Sequence, residues 1–266
     1  MAAGRRSVAS AIHDALLTGE PRATAMAARD VARAWRFGRL EPVFDTAMPE
    51  RPAWPERPQL LPPRDMPRRG RGSTRGRIAQ WHALAHIEFV AIDLALDMAG
   101  RFGERMGDAF VSDFLSVAAD EAMHFALLER KLRSFGSHYG ALPAHAGLWS
   151  SAEATAHDVA ARLAIVPMVL EARGLDVTPS MIARVRGQGD AHGARILSRI
   201  LDDEIRHVAY GTKHFVAESA KRGEKPENLW KSLVRQHFKG GLKAPFNDSA
   251  RQSAGLSQGF YASLAQ

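Results

Sequence analysis

Two stretches of this chain carry Glu-x-x-His, and a single shift relates everything around them. Residues 119–128 hold Glu121 and His124; residues 202–210 hold Glu204 and His207. At a spacing of three, two side chains leave one face of a helix about a turn apart, as two ligands of one ion must. Each copy has a lone carboxylate upstream in an apolar segment of helical pattern, Glu88 before the first and Glu171 before the second. The differences 171 − 88, 204 − 121 and 207 − 124 are all 83. Asp120 and Asp203 obey the same shift, as do Asp93 and Asp176 outside the ligand set. A carboxylate from each of two helices plus Glu-x-x-His from each of two others defines a four-helix bundle around two metal ions. The predicted fold class is therefore all-α.

The apolar periodicity agrees. Leu84, Ile87, Ala91, Leu94 and Met98 recur at intervals of three and four, with Glu88 at the edge of the stripe. Phe110, Phe114, Val117, Glu121, His124, Leu128 and Leu132 form the next row, so the motif lies in the core-facing stripe itself. Residues 100–107 are read as the turn between these helices, and residues 187–189, Gly-Gln-Gly, as the turn of the second pair. Residues 134–151, rich in Gly, Pro, His and aromatics, make a long crossover between the pairs. Pro167 predicts a kink just before Glu171, and Gly174 with Pro179 are expected to break that third helix soon after it. Leu197, Ile200, Glu204, His207, Gly211 and Phe215 share one row of the fourth.

Around this core, residues 1–77 read as two short helices followed by a proline-rich strap. The strap, residues 42–67, holds eight prolines, too many for a regular element, with Trp54, Leu60 and Leu61 as its anchors. Residues 64–77 then place six arginines, among them Arg68, Arg69, Arg71, Arg75 and Arg77, against one acid, Asp65. Such a segment can contact phosphate or another anion, or can be a solvated loop pairing with core carboxylates. Residues 78–218 form the predicted bundle. Residues 219–266 form a C-terminal helix and an extended tail that Trp230 and Phe246 dock.

Composition narrows the chemistry. The absence of cysteine excludes disulfides, thiolate nucleophiles and thiolate-held zinc or iron–sulfur clusters, so any metal is held by His, Asp, Glu or water. A net charge of +7 permits an anionic partner without requiring one. There is no secretory h-region near the N-terminus and no apolar run long enough to span a bilayer, so a cytoplasmic protein without a membrane partner is expected.

Four carboxylates and two imidazoles leave open positions on two ions, and an oxygen-rich set with nitrogen suits iron or manganese. Glu121 and Glu204 are expected to bridge, with Glu88 and His124 completing one site and Glu171 and His207 the other. Asp120 and Asp203 are candidates to hydrogen-bond the imidazoles from outside. Tyr210, one turn past His207, is a candidate pocket or radical-relay residue, or a core tyrosine.

With these residues on view, the chain resembles the ferritin-like di-iron carboxylate superfamily. It is more closely similar to a ferritin-like family known only as a domain of unknown function. The closer likeness runs through Pro-Pro-Arg-Asp-Met-Pro at 62–67, His86-Ile-Glu88, Asp-Glu-Ala-Met-His at 120–124, Leu-Pro-Ala-His at 142–145, Leu-Glu-Ala-Arg-Gly-Leu-Asp at 170–176, Asp-Glu-Ile-Arg-His at 203–207 and Lys-Ala-Pro-Phe at 243–246. Arg206 fits the superfamily's Asp-Glu-x-Arg-His pattern, and Met123 departs from it in the first copy. The resemblance implies a bundle with the six ligands above and two iron ions, with manganese or a mixed pair as alternatives. An O2-dependent hydroxylase or oxidase fed by an unidentified electron donor is the leading expectation, with an anionic substrate, RNA included, as a candidate. The alternatives are iron or peroxide handling of the ferritin or rubrerythrin type, and a non-catalytic nucleic-acid-binding protein. The extensions favour a monomer or dimer over a ferritin cage.

Overall fold

The computed structural model describes residues 5–67 and 73–265. Apart from two strands of two residues each, its named regular elements are helical, so the fold is all-α. The chain forms two compact units, Met1–Trp149 and Ser150–Gln266.

In the first unit, α1 (Val8–Leu16) starts at Ser7, whose hydroxyl accepts from Ser10 N, and buries Val8, Ile12 and Leu16 at four-residue spacing. Helix α2 (Pro21–Arg36) begins with the proline that suits a first turn, and the Glu20 carboxylate accepts from the amides of Arg22 and Ala23. The strap follows. Trp54 packs edge-on against Trp149, their centroids 6.2 Å apart, and donates from Nε1 to Asp93 Oδ2 at 3.0 Å. Leu60–Leu61 forms β1, paired in parallel with β2 (Ala144–His145). The strap is thus fastened at the anchors expected of it.

Helix α3 (Thr74–Met106) starts earlier than the apolar period indicates, because the Ser73 hydroxyl caps it by accepting from Gly76 N. Arg75 and Arg77 therefore belong to a helix, and the Arg77 guanidinium lies over the Phe135 ring at 5.5 Å. Arg68, Arg69 and Arg71 lie outside the described residues. The helix also runs through Gly100 and Gly103, which the sequence reading placed in a turn. At these positions glycine admits the strap: a Cβ on Gly103 would sit 2.6 Å from Phe44 Cε1, and one on Gly100 would collide with Met48. The reversal takes place at Gly107 alone, at φ +86, and α4 (Asp108–Arg133) folds back along α3. Helix α5 (Gly147–Ala154) contains the boundary between the units.

In the second unit, α6 (Val159–Ile165) passes into a π-helical segment, Val166–Glu171. Pro167 near its start cannot donate the α-helical hydrogen bond, and the expected kink takes this wider form. Helix α7 (Ala172–Gly187) then continues through Pro179, against the expected break. Proline there leaves the Leu175 carbonyl without its α-helical donor, and Asn247 Nδ2 supplies one at 3.1 Å. The turn at residues 188–190 leads into α8 (Ala191–Lys221), capped by Asp190. Helix α9 (Pro226–His237) buries Leu229, Trp230, Leu233 and Val234.

The tail is more ordered than an extended segment. Asn247 accepts from Ala250 N to cap α10 (Asp248–Ser253), and α11 (Gln258–Tyr261) follows. Trp230 of α9 packs on Phe260 at 5.9 Å and so holds the tail, whereas Phe246 packs at 4.9 Å on Tyr261 within the tail itself rather than on the bundle. Arg251, 2 % exposed, pairs with Asp176 from α7 at 2.7 and 2.8 Å. Among the described residues no helix is long and apolar enough to cross a membrane.

Candidate metal centre

Helices α3 and α4 bring three of the predicted ligands together inside the first unit. Glu88, Glu121 and His124 are all buried, and His124 is fully enclosed. Their donor atoms lie within 4.8 Å of one another, and His124 Nδ1 is 3.2 Å from both Glu88 Oε2 and Glu121 Oε2. The single-residue turn at Gly107 lets Glu88 meet the two-residue row of Glu121 and His124 in the interior of the hairpin.

The electrostatics are compatible with a bound cation. Burial, reinforced by the Glu121 carboxylate, pushes Glu88 well above the ordinary carboxylate range, while its hydrogen bond with His124 works the other way. An imidazole nitrogen has one proton to donate or one lone pair to share, so Nδ1 cannot satisfy two carboxylates at once. A metal ion held by these three residues would accept the lone pair and offset the carboxylate charge. The residues present fit such an ion.

The second unit carries the other half of the pattern on α8. Glu204 and His207 are buried, with His207 Nδ1 3.7 Å from Glu204 Oε1. Glu171 stands on the last residue of the π segment and is half-buried where the other five predicted ligands are buried. The two halves therefore differ at the residue that the proline-induced π segment presents. Asp203 on α8 takes Arg199 Nε at 2.6 Å and Arg206 Nη2 at 3.1 Å, which gives Arg206 the part of fixing a buried carboxylate beside Glu204. Tyr210 is half-buried, with the Lys213 ammonium over its ring at 5.5 Å. In the first unit, Asp120 lies at a recess of about 700 Å³ that also includes Trp35 and Arg36.

Two other histidines of α3 are committed to the crossover. His86 engages the Tyr139 hydroxyl through Nδ1 at 2.9 Å and the His145 carbonyl through Nε2 at 3.0 Å, and burial lowers its pKa to about 4. His82 Nε2 accepts from Gly140 N at 2.9 Å. Both tie the crossover onto α3, so neither is offered to a metal. Two features escape the sequence reading. Nothing in a crossover tyrosine flags Tyr139 as a partner of His86. The arginines that line a cavity between α2 and α4 left a weak signal, the seven-residue spacing of Arg22 and Arg29 and the three-residue spacing of Arg130 and Arg133.

An all-α protein with a buried carboxylate–imidazole cluster able to hold a metal is the class that this fold and site define. The chain belongs to the family described as protein of unknown function (DUF455), whose profile matches residues 17–262. It is similar to an uncharacterized protein of Haemophilus influenzae, 44% identical over 212 residues that cover 77% of this chain and 74% of the relative. No solved structure matches the chain.

Proposed function

We propose that this is a ferritin-like di-iron carboxylate protein and an O2-dependent oxidoreductase of the hydroxylase or oxidase class. Glu88, Glu121 and His124 of the first unit and Glu171, Glu204 and His207 of the second would together hold two iron ions, with manganese or a mixed pair as the alternative. The observation that carries the reading is the convergence of Glu88, Glu121 and His124 at 3.2 Å in a buried, charge-frustrated cluster, in a chain that repeats the same motif at Glu204 and His207.

Iron held there would supply reduction of O2 by electrons from a donor protein, coupled to oxidation of a substrate. The chain's own part is to position and protect. His124 and His207 are fully enclosed and Glu121 is 1% exposed, so at these three ligands water is kept out and local charges act in a medium of low dielectric. Arg199 and Arg206 hold Asp203 in place one residue before Glu204. A cytoplasmic reductase is the electron source this reading calls for.

Protein loaded with ferrous iron without air, then mixed with O2 and a chemical reductant, should consume O2 above the rate of free iron, and Glu121→Ala should lose that excess. Iron that washes off wild-type protein, or equal consumption by the variant, would remove the proposal.

A further inference from the structure

The first unit holds a cavity of about 960 Å³ between α2, the strap and α4, and it is built from two kinds of surface. Its buried wall is apolar, Ala122 and Phe125 from α4, and the exposed Met26 of α2 adds apolar surface. Ala122 directly follows Glu121 and Phe125 directly follows His124. Its rim is cationic, with Arg22 and Arg29 from α2, Arg57 from the strap, and Arg130 and Arg133 from α4.

The three acids of the same lining, Glu20, Glu56 and Glu129, offset part of that charge and leave the five arginines in excess. The Glu20 carboxylate is held by the amides of Arg22 and Ala23. Glu129 accepts from Arg133 Nε at 2.9 Å and from the Tyr139 amide at 2.7 Å. Among the described residues Arg22, Arg29, Arg57 and Arg130 have no ion-pair partner. Met26 is 56% exposed, a large apolar side chain left open at the mouth of a concave site.

Guanidinium groups from three separate segments around an apolar floor make a receptor for one chemistry. The cavity size is that of a small-molecule site, in which apolar walls supply affinity and a few polar groups fix orientation. Arginine forks suit carboxylate and phosphate oxygens.

We propose that this cavity binds a small amphipathic organic anion, with its carboxylate or phosphate on Arg29, Arg57 and Arg130 and its apolar body on Met26 and Phe125. Where the occupant is called the substrate of the iron site, the proposal rests on the function proposed above. Binding itself involves the first unit alone.

The probes are 1-anilinonaphthalene-8-sulfonate, read by fluorescence, with decanoate, phenyl phosphate, decanol and a ten-nucleotide RNA as competitors. Decanoate or phenyl phosphate should displace the fluorophore, and whichever does so at the lower concentration assigns the head group as carboxylate or phosphate. The double variant Arg29→Ala/Arg130→Ala should weaken decanoate at least tenfold, and Ala126→Trp, at an exposed lining position, should block the fluorophore. Wild-type circular dichroism of these variants verifies folding, and their unchanged iron content separates failure of this site from failure of the metal reading. Decanol competing as well as decanoate, RNA displacing the fluorophore at lower concentration than either small anion, or binding unaltered in both variants would overturn the proposal.

Discussion

Asp93 and Asp176 stand at the same place in the two halves of the doubled pattern, five residues beyond Glu88 and Glu171, and each fastens a segment from outside its hairpin. Asp93 accepts from the Trp54 indole of the strap, and Asp176 takes the Arg251 guanidinium of the C-terminal tail. One repeated carboxylate thus serves two unrelated extensions, through a neutral donor in one unit and an ion pair in the other. The difference in donor gives the two contacts different sensitivities.

Asp93 is 1% exposed, and burial, partly offset by the Trp54 hydrogen bond, raises its pKa to about 8. The unfolded chain releases this proton near the ordinary value of about 3.9, so between about pH 4 and 8 the folded state binds the extra proton and stability falls as pH rises. Asp93→Asn keeps an acceptor for Trp54 and removes the ionisation. Thermal denaturation across this range should show the variant gaining on wild type as pH rises; curves that stay parallel would show that Asp93 does not carry the effect.

Arg251 makes the opposite case. Replacing it with methionine leaves the buried Asp176 carboxylate only the longer Arg173 contact at 3.5 Å and the Asn247 amide, a loss of about 3 kcal/mol, at the low end for broken buried pairs. The Arg251 guanidinium also stacks on the Phe246 and Tyr261 rings at 4.9 and 4.5 Å, so the tail should come loose. Limited proteolysis should cut Arg251→Met first within residues 240–260, whereas wild type resists.

Gly211 and Gly174 predict opposite signs for one substitution. A Cβ on Gly211 would run into the Pro167 ring of the π segment, while one on Gly174 meets nothing within 4 Å. Gly211→Ala should destabilise by about 1–3 kcal/mol as an overpacked contact. Gly174→Ala, inside α7, should stabilise by roughly 0.5–1 kcal/mol through its better helix propensity. Chemical denaturation of the two variants reads both; equal effects would mean that the Pro167 contact is not tight.

The helical fold and the half-site of the first unit were legible because both express periodicity. Glu88, Glu121 and His124 sit on rows of apolar residues, and rows follow directly from a 3.6-residue turn. Glycine was ambiguous: Gly107 makes a turn, but Gly100 and Gly103 serve the packing of Met48 and Phe44, side chains more than fifty residues away that no local pattern reveals. Pro179 misled for a related reason, since the donor that replaces its missing amide, Asn247, comes from the tail. The arginine cavity stayed hidden because its rim is assembled from α2, the strap and α4, and each contributes charges that look like ordinary solvated ones.

The number of metal ions per chain, measured by mass spectrometry after iron loading and desalting, tests the central claim most directly. Two irons per wild-type chain are predicted, with a loss of at least one in each of His124→Ala and His207→Ala at unchanged helicity. Wild-type protein that retains no iron, or variants that retain as much as wild type, would contradict the account.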